Sequence, residues 1–232
     1  MHTTNVTPDM LNYDSYKKNK YDQDIINVIP HHKEIHQKIS SFVHQKLDKN
    51  KQYKILDLGV GTGITSRLLL DILPNSHIDV IDFSQTMLDG AKERLGDKNI
   101  NYILADYSDI ELKQDNYDII VTMIGLHHQN NSGKENMINK IHSWLKPDGI
   151  FFLGDLATYT DKKVAALNQA KHFYHLVKKA ENTDTLTDWS YHHIYLNDLA
   201  TKEQHETWLQ AIGFSILEKY QKTNTLLLIS KK

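Results

Sequence analysis

Residues 55–63 read Ile55-Leu56-Asp57-Leu58-Gly59-Val60-Gly61-Thr62-Gly63, an apolar run closed by an acid and three glycines at alternate positions. Ile55, Leu56 and Leu58 suit a parallel strand covered on both faces. The glycines remove side chains where the backbone must turn sharply and let a ligand come close. From Ile64 to Leu73 the apolar residues then recur at helical spacing. The unit is strand, glycine loop, helix, and a ligand held at the loop meets backbone N–H groups at a helix N-terminus.

Two ligand classes use such a turn, and glycine spacing helps to separate them. A dinucleotide loop reads Gly-x-Gly-x-x-Gly and approaches a pyrophosphate. Here the spacing is Gly-x-Gly-x-Gly behind Asp57. That acid would repel a phosphate, but it could orient loop amides or receive an ammonium group. Further on, the strand-like run Ile78–Ile81 ends at Asp82, placed to accept two hydrogen bonds from a ribose diol. Phe83 and Met87 follow, apolar enough to pack on a purine or its sugar. Residues 100–105 read as a third strand with Asp106 and Tyr107 at its end, and 117–123 as a fourth. Leu145-Lys146-Pro147-Asp148-Gly149 is a turn before a fifth.

This series resembles the class I S-adenosylmethionine (SAM) methyltransferases. Their first motif, Asp/Glu-x-Gly-x-Gly-x-Gly, is matched at Asp57, Gly59, Gly61 and Gly63. The resemblance implies SAM as cofactor, with Asp106 at the adenine amino group, Tyr107 beside the ring and Met123 at the end of strand four. Tyr13-Asp14-x-Tyr16 and Tyr21 are similar to an opening segment that folds over the cofactor in some sugar and amine N-methyltransferases. By that likeness Tyr16 or Tyr21 contacts the SAM carboxylate or the substrate.

The alternation of strand and helix from Tyr53 to about Asp155 predicts an α/β fold. The expected architecture is a seven-stranded, mostly parallel sheet with helices on both faces and a C-terminal antiparallel hairpin. Strands are expected at 53–58, 78–82, 100–105, 117–123 and 150–154, and helices at 64–73, 84–95 and 134–145. Residues 13–48 read as two helical pieces broken at Pro30. After strand five, 161–181 reads as a helix with Val164, Leu167, Ala170, Phe173, Tyr174 and Val177 along one side. A polar loop at 182–188 then leads to the aromatic cluster Trp189 to Tyr195. Thr201 and Gln204 form a capping box for a helix 201–211 ended by Gly213, and 214–220 with 225–230 makes the hairpin. The whole is read as one domain, 1–232. It comprises an N-terminal helical lid (1–48), a SAM-binding core (53–155), a cap insertion (156–198) and a C-terminal helix and hairpin (199–232). Both appended regions are expected over the carboxyl edge of the sheet, as a substrate lid or merely as packing for their own aromatic residues.

A chain of 232 residues can bury one sizeable core, and its formal charge of −2 gives no general attraction to nucleic acid or anionic membranes. Arg67 and Arg94 are the only arginines, whereas bidentate readout of phosphate or guanine favours arginine. With no cysteine there is neither a disulfide framework nor a thiol nucleophile. The expected setting is cytoplasmic, the partner a small-molecule substrate, and a homodimer stays open. Adjacent histidines point in different directions, so the His-His pairs are poor ligand spacing and no metal is expected.

For chemistry, His127 and His128 follow strand four, where a neutral imidazole could take a proton; of the two, His128 is the favoured base. Asp155 ends strand five and could bind a cationic amine or orient a histidine. Packing or capping is the alternative role for His128 and Asp155, as burial in an amphipathic helix is for Tyr16. The leading function is methyl transfer to a nitrogen or oxygen of a small molecule. An RNA-modifying or tRNA methyltransferase is the alternative, although Thr122-Met123-Ile124-Gly125 lacks the prolines of base-modifying enzymes of this fold. The layout also resembles carboxy-SAM synthase, but no arginine follows Arg94 to hold the added carboxylate.

Overall fold

The computed structural model describes residues 8–11, 13–15 and 18–232. β1 (Lys54–Leu58) lies between β2 (His77–Asp82) and β4 (Tyr117–Met123), pairing with both in parallel. β3 (Ile100–Leu104) extends the β2 side, and β5 (Leu145–Leu156) extends the β4 side. β7 (Thr225–Lys231) runs antiparallel between β5 and β6 (Ser215–Lys222). Among the described residues the sheet order is β3-β2-β1-β4-β5-β7-β6, the expected parallel sheet with a terminal hairpin. The chain leaves β1 first to one side and then to the other. In such a sheet the crevice outside the strand carboxyl ends at the reversal is where ligands collect.

Alternation along each strand divides the core into two layers. Ile55, Val80, Ile119, Val121, Phe152 and Leu227 face one side, with Ile35 and Ile39 of α3 (His32–Lys46) and Leu69 of α4 (Ile64–Ile72). Leu56, Leu58, Ile120, Phe151, Leu153 and Leu228 face the other, against Ile138, Ile141 and Trp144 of α6 (Asn131–Trp144) and Leu209 of α9 (Lys202–Ile212). α5 (Gln85–Leu95) joins the first layer. The capping box is present at Thr201 and Gln204, and α9 ends at Gly213 with φ 112°.

A third cluster sits over the strand ends. Ile25 and Val28 of α2 (Lys18–Val28) and Ile29 meet Leu156, Leu176 of α7 (Lys162–Lys179) and Trp189 of α8 (Thr183–Tyr195). A short α1 (Pro8–Leu11) and a 3-10 turn, Tyr13–Ser15, precede α2.

Four expectations change. The segment 182–188 is not a loop but the start of α8: the Asn182 side chain caps it by accepting from Thr185 N–H, and Thr185, Trp189 and His193 form its buried face. α7 turns its apolar stripe outward, exposing Leu167, Tyr174 and Val177 while Asn168, His172 and Leu176 are buried. α6 begins before Gly133, because Asn130 caps it by accepting from the Gly133 N–H. β5 starts at Leu145 opposite Tyr117; its Pro147–Gly149 turn is an irregularity in the strand, with Asp148 at φ 65°.

Asp57 belongs to this framework. Alternation sends it to the Ile55 side, away from Leu56 and Leu58, where its fully buried carboxyl accepts from Ser66 Oγ at 2.6 Å. Burial pushes its pKa up to about 7, with the Asp82 charge adding to the rise. In the unfolded chain it loses its proton near pH 4, so the folded state holds more protons between pH 4 and 7 and stability falls as pH rises through that window. Asp57→Asn should therefore gain on the wild type from pH 4 to 8, by at most about 1.4 kcal/mol per pKa unit. Urea titrations at several pH values measure this; a pH-independent difference refutes the assignment.

Candidate functional site

The strand carboxyl ends open onto a cavity of about 210 Å³. Gly59 and Gly61 come from the β1 loop, Asp82 and Phe83 from β2, Asp106 and Tyr107 from β3, and Met123 with Ile124 from β4. Met87 of α5, Tyr21 of α2 and His128 complete the part of the wall expected from sequence.

The glycine loop is held in shape by its neighbour strand. The N–H groups of Gly59 and Val60 donate to the Ile81 carbonyl, and Gly61 N–H donates to Asp82 Oδ2 at 2.8 Å. Gly61 has φ 53°, and a Cβ there would point at the Tyr21 ring, 3.8 Å away, filling the space between them. Asp82 Oδ1 accepts from Ser84 N–H at 3.0 Å. Burial raises the Asp82 carboxyl to about 6, against the lowering effect of its Ser84 and Gly61 donors. Asp106 accepts from the backbone N–H and hydroxyl of Ser108, both at 2.8 Å, which closes the turn after β3. Tyr107 is buried against Gly59, and burial raises its phenol.

Not every expected residue meets this cavity. Asp57 lies behind the loop, in the wall of a smaller neighbouring void shared with Tyr21, Thr62 and Ile64. Gly63 faces away, because a Cβ on it would lie 3.1 Å from Leu95 Cδ1; its role is close packing of α4 on α5. Asp155 is wholly buried and accepts from His127 Nδ1 at 2.5 Å rather than reaching the cavity. Tyr16 lies outside the described residues.

Among the described residues of the opening segment, Tyr13 reaches the site as well as Tyr21. Asp14 accepts from Ser84 Oγ at 2.5 Å and from Thr86 N–H at 3.2 Å, pinning the 3-10 turn to the N-terminus of α5. This sets Tyr13 against Phe83, with ring centroids 5.8 Å apart, and lets its hydroxyl donate to His128 Nε2 at 3.3 Å. The other imidazole nitrogen of His128 donates to the Leu196 carbonyl at 2.9 Å. Burial and the neighbouring His127 hold His128 well below its ordinary value.

Gln129, Asn130 and Gly133 at the start of α6 also line the wall. Their signal in the sequence was the Asn130 cap three residues before a glycine. Behind Tyr13, Ile124 and His128 lies a second cavity, about 20 Å³, roofed by α2, α7 and α8. Polar ties hold that roof. Arg94 pairs with Asp22 of α2 and donates to the Thr62 carbonyl, and Asp198 N–H donates to the His127 carbonyl at 2.7 Å. Among the described residues no group of three histidines and acids is arranged to hold a metal ion, and no helix is long and apolar enough to cross a membrane.

Comparison with known proteins agrees with this geometry. Residues 55–149 match the family model described as a methyltransferase domain. Over 153 residues the chain is 29% identical to a malonyl-[acyl-carrier protein] O-methyltransferase of Ilyobacter polytropus, covering 66% of this chain and 53% of that protein. It is 26% identical over 170 residues to a demethylmenaquinone methyltransferase of Clavibacter sepedonicus, covering 71% and 66%. The chain thus spans about half the length of the Ilyobacter relative. In fold it is similar to a SAM-dependent methyltransferase of Mesorhizobium loti, with a TM-score of 0.60, 17% identity, and coverage of 83% of this chain and 96% of that one. The glycine loop, the acids closing β2 and β3 and the sheet order agree with that match, and residues 55–149 are a methyltransferase domain similar to those of the class I SAM-dependent enzymes.

Proposed function

We propose that this protein transfers a methyl group from SAM to an oxygen or nitrogen of a small molecule. The observation that carries the reading is a cavity of about 210 Å³ at the sheet's switch point, adjoining a second, smaller cavity across Tyr13, Ile124 and His128. When bound, SAM supplies an electrophilic methyl group on a sulfonium sulfur.

The residues present suit that cofactor. Asp82 spends one hydrogen bond on each oxygen, leaving lone pairs for a ribose diol. Phe83 and Met87 offer apolar contact to the purine and sugar, and Asp106 with Tyr107 flanks the adenine position. Gly61 leaves a cradle beneath Tyr21, and Gly59 one beside Tyr107, that side chains would fill. Asp57 and Gly63 act one layer back, by shaping that loop. His128 faces both cavities, and its lone pair is engaged by Tyr13. The described residues of α2 and of 156–198 serve as the lid that keeps water from the reacting centre. The two relatives' names, a malonyl-[acyl-carrier protein] O-methyltransferase and a demethylmenaquinone methyltransferase, support a small-molecule acceptor, and the first supports an oxygen as the accepting atom.

Calorimetry with S-adenosylhomocysteine tests the cofactor assignment. Asp82→Ala should weaken binding by about 1–3 kcal/mol, the cost of unpairing buried hydrogen bonds; unchanged affinity refutes the ribose role. A subtler variant is Gly154→Ala. Its new methyl would collide with the Met123 thioether, which lines the cavity. Met123 must then move, and S-adenosylhomocysteine affinity should fall, because overpacking displaces the side chains around it. Circular dichroism should be unaltered. Undiminished affinity would place Met123 outside the cofactor's contacts.

A further inference from the structure

The second cavity has a chemistry of its own. Ile25, Val28, Leu156, Leu176 and Trp189 make one side apolar. The other side presents the imidazoles of His127, His128, His172, His192 and His193. Among the described residues lining it there is no aspartate, glutamate, lysine or arginine. Burial, first among the causes in each case, lowers His172 to about 2 and His192 and His193 to about 4. These rings are neutral at pH 7.

An ionised acceptor would find no counter-charge in this wall, and a buried unpaired charge costs several kcal/mol. A carboxylate and an alkylammonium are both disfavoured on that ground, so the acceptor arrives neutral. A neutral hydroxyl that gains a methyl group must also lose its proton, or the product is left as an oxonium. The wall therefore needs a base with an open lone pair.

His127 has one. Its Nδ1–H donates to Asp155 Oδ1, and the same oxygen accepts from Leu156 N–H at 2.9 Å. With the proton held on Nδ1, the lone pair is on Nε2, which makes no hydrogen bond to a described residue while the ring lines the cavity. His128 is arranged differently, since its Nε2 already accepts from Tyr13. The dyad is rigidly seated: Asp155 is 0% and His127 3% exposed. The loop after His127 is clamped by Lys134, whose Nζ donates to the Gln129 and Asp198 carbonyls.

We propose that this cavity takes a neutral, largely apolar acceptor bearing an acidic hydroxyl, of the phenol or enol class, with His127 as its general base and Asp155 as the positioning residue. The proposal rests on the methyl-transfer reading above. In the step, the hydroxyl proton passes to His127 Nε2. The acceptor oxygen's lone pair forms the new O–C bond, and the C–S electron pair leaves on sulfur. A phenol suits an imidazole base better than an alcohol does, because its acidity lies only a few units from the operating pH. The present void holds about one water, so the acceptor's ring takes its place by displacing the α7–α8 hairpin outward.

The test uses the full chain saturated with S-adenosylhomocysteine and three probes of one shape: 2-naphthol, 2-naphthoate and 2-naphthylmethylamine. Calorimetry should find 2-naphthol bound at least about tenfold tighter than either ionised probe, a difference of about 1.4 kcal/mol. Equal or reversed preference, or no binding of 2-naphthol, overturns the acceptor class. Nitrogen-15 NMR of the wild type should place the His127 proton on Nδ1, and Asp155→Asn should move it to Nε2; a wild-type proton on Nε2 overturns the base assignment without any variant having to fold. His127→Gln should lower methylation of 2-naphthol by about 10²–10⁴-fold, the usual worth of a general base, with S-adenosylhomocysteine affinity unchanged. An undiminished rate also overturns it. Failure of S-adenosylhomocysteine itself to bind overturns the methyl-transfer reading and this inference together, whereas the other failures leave that reading standing.

Discussion

One carboxylate joins most of the parts. Asp82 ends β2, takes the Gly61 N–H of the loop after β1, and takes the Ser84 N–H at the start of α5. Ser84 in turn donates its hydroxyl to Asp14, which carries the opening turn of the chain. Strand order, loop shape and the position of Tyr13 thus meet at a single buried side chain. Its two oxygens are shared between holding the loop and facing the cavity. The raised pKa of Asp82 is the electrostatic cost of that location.

The roof over the site has a different origin. It is assembled from segments far apart in sequence, α2 near the start and the α7–α8 hairpin after β5, which meet at Ile25, Leu176 and Trp189. Apolar packing there is modest, and the polar ties to Arg94, His127 and Lys134 set its position. The helices cover a pocket lined with imidazoles, which explains why α7 buries Asn168 and His172 and leaves Leu167 and Val177 outside.

That inversion marks where sequence reading reaches its limit. The core strands were legible because parallel, doubly covered strands are written as short apolar runs bounded by glycine and acid. The cavity wall was legible at Asp82, Phe83, Met87, Asp106 and Tyr107, each tied to the end of such a strand. Asp57 was assigned to the loop on its motif, although two-residue alternation with Leu56 and Leu58 already directs it to the opposite layer. For α7 the usual rule, apolar stripe inward, failed because its neighbour is a polar pocket rather than a core. α8 went unseen because its first turn is threonine-rich, and tertiary contacts of Thr185 and Trp189 outweigh weak helix propensity. The choice between His127 and His128 depends on which ring meets Asp155 across the gap between β4 and β5, which the dipeptide does not encode.

The antiparallel β7 has a bearing on how the chain is made. It is almost wholly buried between β5 and β6, although it comes after both in sequence. During synthesis the β5 edge, with Phe151, Phe152 and Leu153 on it, stays unpaired until residues 225–231 have emerged from the ribosome. The nascent chain therefore carries a long apolar strand edge while the whole segment between β5 and β7 is made, the kind of surface that chaperones shield and that joins neighbouring chains when left uncovered.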